Sequence, residues 1–272
     1  MPGKAHGLMA RLLSAAILAP LAIVTTYFGG WPFAIFWSIA AVVTAWEWMR
    51  LVAAATATAT AIAGIAAALC ALLTLNGRLL FALGVAAAGA LGAAMAVSPN
   101  RRRWVAAGAV YAALMALGPL LIRGQSSFGM VAIFLLFAVV WTTDILGYFA
   151  GRTFGGPKLA PSISPAKTWS GAVAGVIGAA IVVGLGAFLT STANVIMLVI
   201  VAIVLSIAGQ LGDLLESALK RRFGAKDASQ LIPGHGGVMD RLDGFWAATL
   251  CAVVIGLAHG GFGAVAQGLL VW

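Results

Sequence analysis

Of the 272 residues, 62% are hydrophobic and 8% charged, with 16 Lys and Arg against 7 Asp and Glu for a net charge of +9; the mean hydropathy is +1.07. Soluble domains carry about 25% charged residues, so this chain has too few to cover a surface facing water and reads as an integral membrane protein. A β-barrel is excluded because its spans would alternate over roughly ten residues, whereas the apolar runs here are continuous and of helix-spanning length. The bases are scattered between the apolar runs, which is not the footprint of a nucleic-acid binder. Cys70 and Cys251 both fall inside apolar runs and read as small buried hydrophobes, with no disulfide framework and no zinc spacing.

The pattern predicts an all-α polytopic membrane protein of about nine spans, at 12–29, 31–48, 54–75, 79–97, 104–122, 128–150, 171–190, 194–212 and 245–270. The first run, behind Lys4 and Arg11, has the form of a signal peptide. No small-x-small site closes it, and it is expected to stay as an anchor. The third opens on an Ala/Thr low-complexity run and is only weakly hydrophobic. With sides numbered alternately, one side collects fourteen bases: Lys4, Arg11, Arg50, Arg101, Arg102, Arg103, Arg152, Lys158, Lys167, Lys220, Arg221, Arg222, Lys226 and Arg241. The other receives only Arg78 and Arg123. The positive-inside rule then predicts a cytosolic N-terminus, with two long polar connections, 151–170 and 213–244, facing the cytosol. The chain divides into N-terminal spans, 1–127, and a C-terminal region, 128–272, that carries both connections.

Five of the seven acids lie between positions 213 and 243: Asp213, Glu216, Asp227, Asp240 and Asp243. They alternate with Lys220, Arg221, Arg222, Lys226 and Arg241. Asp213, Glu216 or Ser217, and Lys220 recur at three- and four-residue steps and share a helix face; Glu216–Lys220 reads as an i,i+4 pair. Next, PGHGGVMDRLDG combines a proline and glycines that forbid helix with two aspartates opening the last span. A helix N-terminus suits phosphate, His235 between glycines suits a phosphate contact, and Asp243 reads equally as an N-cap.

A carboxylate about 4 Å from a like charge is repelled by about 4 kcal/mol at an effective dielectric near 20. Acids beside an anionic ligand therefore call for a cation, and oxygen ligands of this kind suit Mg²⁺. The 151–170 connection adds Arg152, Lys158 and Lys167, and Pro157, Pro161 and Pro165 predict that it is not helical. Asp144 lies near the end of the sixth span. Gly171 and Gly175 read as helix packing. Glu47, between Trp46 and Trp48, has no evident role.

These residues resemble the phosphatidate cytidylyltransferase (CDP-diacylglycerol synthase) family. Its signature is matched by Ser217, Lys220 and Arg221, Lys226 and Asp227, then His235, Gly236 and Gly237, then Asp240, Arg241, Leu242 and Asp243. An upstream block is similar from Asp144 through Tyr148, Phe149, Gly151, Arg152, Phe154 and Gly155 to Lys158, Ser164, Pro165, Lys167 and Thr168. Ile145, Leu146, Ala166 and Ser170 stand where the family more often has Thr, Gly, Lys and Glu. The likeness covers about 144–244.

The resemblance implies a Mg²⁺-dependent nucleotidyltransferase, with a second ion of unknown identity allowed, that converts CTP and phosphatidic acid to CDP-diacylglycerol and pyrophosphate in a bacterial inner membrane. Its active site would face the cytosol. It places Asp213, Asp240, Lys220 and Arg241 in catalysis. The metal ligands are expected among Asp213, Asp240, Asp144 and Asp243. Substrate contacts are expected from Lys158, Ser164, Lys167, Arg221, Lys226, Gly234, His235, Gly236 and Gly237. Membrane lipids are expected partners, a homodimer is compatible with the pattern, and nucleic acid is not. A CTP-dependent polyprenol kinase is the competing enzyme, distinguished by releasing CDP rather than pyrophosphate. A transporter is the competing non-enzyme, and its site would lie near the bilayer midplane.

Overall fold

The computed structural model describes residues 3–190, 194–232 and 236–272, and for 3–15 the backbone course only. Among the described residues the helices are α1 Gly3–Phe28, α2 Gly30–Leu51, α3 Ala57–Leu75, α4 Leu79–Met95, α5 Arg102–Arg123, α6 Ser127–Phe154, α7 Trp169–Leu189, α8 Val195–Arg222, α9 Met239–Gly260 and α10 Val265–Leu270. Seven are long and apolar enough to cross a membrane: α2, α3, α5, α6, α7, α8 and α9; Ala16–Phe28 and Leu79–Met95 are apolar but shorter. Large apolar side chains such as Leu80, Phe81, Phe188 and Ile196 lie on the exposed surface, which suits lipid and not water.

The chain forms two compact units. The first joins Met1–Gln125 to Phe223–Leu242; the second joins Ser126–Arg222 to Asp243–Trp272. The acidic segment 223–242, expected with the C-terminal half, thus packs with the N-terminal helices. In the first unit α3 packs on α2, α4 and α5. The weakly hydrophobic Ala/Thr stretch does form a helix, because Thr56 caps it by accepting from the Ala59 N–H at 3.1 Å and its alanines pack flush. Arg123, expected only as a topology marker, is buried. Its guanidinium donates to the carbonyls of Thr26 at 2.8 Å and Tyr27 at 3.3 Å, serving the orphan carbonyls at the end of α1.

In the second unit α7 packs on α6 and α8. Glycines set that closeness: a methyl added at Gly175 would lie 2.9 Å from the Thr143 carbonyl oxygen, and one at Gly171 would collide with Gly147 and Gly151. The hydroxyls of Thr143 and Ser206 join α6 to α8 at 2.7 Å.

Three boundaries differ from expectation. The region 151–170 begins as helix, since α6 runs to Phe154, and then forms an antiparallel hairpin of β1 Lys158–Ala160 with β2 Ser164–Thr168. The prolines forbid helix there, but a two-strand pair has open edges where a missing N–H costs little. The Ser170 hydroxyl donates to the Gly155 carbonyl and ties the end of α6 to the start of α7, while Thr168 caps α7 by accepting from the Gly171 N–H at 3.2 Å. α8 continues to Arg222, ten residues beyond its expected end at 212. The last span starts at Met239 rather than 245 and breaks after Gly260, where Gly261 adopts φ +72° and α10 follows.

Replacing Gly175 with Val should overpack the α6–α7 contact and cost about 1–3 kcal/mol. Gly186→Ala, where a methyl meets nothing within 4 Å, should be neutral. Thermal unfolding of both variants in detergent reads the difference.

Candidate functional site

The second unit holds about half of the candidate site residues. In α8, Asp213 and Lys220 lie two turns apart on a common face. Asp213 pairs with Lys167 of β2 at 2.5 Å, both side chains partly exposed, and accepts from the Ser217 hydroxyl at 3.3 Å. Lys220 and Glu216 form a buried ion pair at 2.7 Å, the i,i+4 partnership the spacing predicts, though inside the protein rather than on a solvated face. Asp243 of α9, half-buried, lies close enough to Glu216 to hydrogen-bond with it and within electrostatic range of Asp213.

Glycines explain how these acids meet. An added methyl at Gly212 would fall 2.7 Å from the Asp243 carbonyl oxygen, and one at Gly209 would lie 3.3 Å from that of Gly244. Only Gly at these positions lets α8 and this part of α9 approach at backbone distance.

Three formal negative charges, Asp213, Glu216 and Asp243, thus face two positive ones, Lys167 and Lys220. Among the described residues no three acidic, His or Cys side chains converge as a closed metal cage.

Around this cluster Arg152, Lys158, Arg221 and Arg222 are exposed. The Arg221 Nε donates to the Ile163 carbonyl at 3.3 Å, tying the end of α8 to the hairpin turn. Ser164 begins β2, half-buried. Asp144 is exposed on α6.

The first unit holds the other half, and here a carboxylate without an evident role in the sequence organises the site. Glu47, on α2, is fully buried. Its Oε1 accepts from the Ser229 hydroxyl at 2.6 Å and the Val238 N–H at 2.9 Å, and its Oε2 from the Met239 N–H at 2.7 Å. Asp240 completes the arrangement by accepting from the Ala228 N–H at 3.0 Å and the Gly237 N–H at 2.7 Å.

The two carboxylates therefore take up the amides of Gly237, Val238 and Met239 at the start of α9. The expectation that this helix N-terminus offers free amides to phosphate gives way to internal capping. Asp243, a full turn inside α9, is not the N-cap. The glycine pair follows from the same packing: a methyl at Gly237 would lie 2.5 Å from a Glu47 oxygen, and one at Gly236 (φ +85°) 2.8 Å from an Asp240 oxygen. Ile232 and Gly236 bridge across the loop. Lys226, Asp227 and Arg241 are exposed around it. Gly234 and His235 lie outside the described residues.

One signal could have found Glu47: it is an acid deep inside an apolar run, and such residues are costly unless they bind something. What it binds lies about 180–190 residues away in sequence, so spacing alone could not name the partner.

Residues 9–258 match the model of a family described as the cytidylyltransferase family. Among curated proteins, the phosphatidate cytidylyltransferase of Brucella abortus is 40% identical over 251 residues, 92% of this chain and 93% of that protein. The one from Rickettsia bellii is 46% identical over 118 residues, 41% of this chain and 51% of its own. That from Staphylococcus haemolyticus is 44% identical over 134 residues, 49% and 52% of the two chains. A match that runs through nearly all the apolar helices as well as the charged segments places this chain in the cytidylyltransferase family.

Proposed function

We propose that this protein transfers the cytidylyl group of CTP to phosphatidic acid, giving CDP-diacylglycerol and pyrophosphate. The observation that carries this reading is the likeness to phosphatidate cytidylyltransferases along more than nine-tenths of the chain. The local chemistry supports it. Both substrates are anions, one water-soluble and one anchored in lipid, so a protein that joins them needs exposed bases beside acids that can share a cation.

In the reaction a phosphate oxygen of phosphatidic acid attacks the α-phosphorus of CTP, and the bond to the β-phosphate breaks, releasing pyrophosphate. No protein nucleophile is needed. The protein's work is positioning and charge neutralisation. Mg²⁺, when bound, would neutralise phosphate charge and polarise the attacked phosphorus. Asp213 and Asp243 are the proposed ligands in the second unit, with Lys167 leaving Asp213 to hold a phosphate instead. Asp144, in the second unit, and Asp240, in the first, are each proposed as a further metal ligand. Lys158, Ser164, Arg221, Lys226 and Arg241 are the proposed contacts to the triphosphate and the lipid phosphate, with Gly234 and His235 the proposed loop residues facing phosphate. Lys220, held by Glu216, sets the position of α8's acidic face.

The reading places nine spans in a bacterial inner membrane with the N-terminus and both charged connections in the cytosol, where CTP is. The fourteen-to-two division of bases supports it.

Purified protein given CTP and phosphatidic acid should release pyrophosphate with Mg²⁺ and stop when EDTA is added; CDP release instead would signal lipid phosphorylation. Asp213→Asn should lower the rate by about tenfold or more, a loss of at least about 1.4 kcal/mol, while the protein still inserts and purifies. Lys220→Met should destabilise by about 3–5 kcal/mol by stranding Glu216. The double change Lys220→Met with Glu216→Leu should restore thermal stability, and its residual rate separates Lys220's structural role from a chemical one. In a background with Cys70→Ala and Cys251→Ala, Lys226→Cys should react with an impermeant thiol reagent only from the cytosolic side, and Arg78→Cys only from the other.

A further inference from the structure

The geometry points to Glu47 as a positioning residue for the transfer reaction, one that acts through the 226–241 segment and does not touch substrate. Three observations carry it. The carboxylate is fully buried within an apolar helix, where an unmatched charge is costly. Among the described residues its three hydrogen-bond donors come from one remote segment: the Ser229 hydroxyl, the Val238 N–H and the Met239 N–H. Gly237 leaves no room for a side chain against it. A residue serving only helix packing would have no need to be acidic here. This one is shaped to receive a particular loop.

The loop is held at two points by two acids. Glu47 grips Ser229 and residues 238–239; Asp240 grips Ala228 and Gly237. The chain between 229 and 237 is therefore pinned at both ends to the same small volume. Lys226 and Arg241, the exposed bases just outside the two grips, emerge at a spacing those grips set. Asp240 alone is local, fixing the loop only to itself. Glu47 alone is remote, and it fixes the loop to the helix scaffold. On this view the acid in α2 decides where Lys226 and Arg241 stand when an anion arrives.

The chemistry of an amide replacement makes the inference testable. Glu47→Gln keeps the shape of the side chain. Its one carbonyl oxygen can serve Ser229 and Val238 or serve Met239, but its NH₂ then faces a backbone N–H across a donor–donor contact. One grip is lost and one N–H is left without an acceptor.

The kinetic arm rests on the cytidylyl-transfer reading; the exchange arm does not. With full-length protein in detergent, amide exchange of residues 237–240 in Glu47→Gln should quicken by about tenfold or more, while exchange through the rest of α2 stays at wild-type values and the thermal midpoint falls only by the few degrees that one lost hydrogen bond accounts for. The kcat/KM for CTP should fall by about tenfold or more. Ser229→Ala, which removes one donor without altering α2, should show the same two effects in milder form, and adding it to Glu47→Gln should cost little more. Unchanged exchange at 237–240 in Glu47→Gln would overturn the inference. So would a midpoint collapse with exchange rising throughout α2, or wild-type kcat/KM in a variant whose loop exchanges faster. If wild-type protein turns over no CTP at all, the functional reading fails, and the exchange of Glu47→Gln and Ser229→Ala alone decides whether Glu47 sets the loop.

Discussion

A charge inside a membrane protein must be answered from within the protein, because lipid offers neither donors nor counter-ions. The buried charges among the described residues obey that constraint. Glu47 is answered by a hydroxyl and two amides, Glu216 by Lys220, and Arg123 by the carbonyls that end α1. The answer differs in kind. Arg123 and Glu47 are met by backbone dipoles, so they hold polypeptide in place. Asp213 is met by Lys167, both partly exposed, so that balance can change when a ligand brings its own charge.

That distinction separates scaffold from chemistry within each unit. In the first, two carboxylates consume the amides at the start of α9 and leave the loop rigidly framed. In the second, Asp213 and Lys167 are paired yet partly exposed, and an ion pair in such a setting contributes little, roughly 0–1 kcal/mol. A weak pair is easily exchanged for a stronger arrangement with phosphate and a divalent ion. The buried Glu216–Lys220 pair cannot exchange so readily, since parting it would strand a charge in a low-dielectric interior.

Much of this was legible in the sequence where the signal is local. Apolar runs marked the helices, and the spacing of Asp213, Ser217 and Lys220 placed them on one face of α8. The small residues Gly171 and Gly175 read correctly as packing. What failed to show was non-local or short. The hairpin at 158–168 has strands of three and five residues, too brief for alternation to register, and its prolines read only as helix breakers. The start of α9 at Met239 depended on Glu47, since a helix opening on Gly-Gly-Val-Met has no side-chain cap of its own in the usual place. The break at Gly260–Gly261 lay inside a run whose hydropathy continues across it.

The glycines of the His-Gly-Gly segment show why motif and role must be kept apart. Read alone, Gly236 and Gly237 suggest backbone laid bare for a phosphate. In the structure the space beside each is filled by a carboxylate of the protein itself, Asp240 against Gly236 and Glu47 against Gly237. The small residues are there to admit acids, and the Gly237 amide points to one of them. Anion recognition by this segment is proposed to rest on its side chains, Lys226 and Arg241 foremost, and long cationic side chains are only as selective as the frame that aims them. A loop held by a buried acid and a half-buried one is such a frame, which is why negative residues are needed in a protein whose substrates are negative.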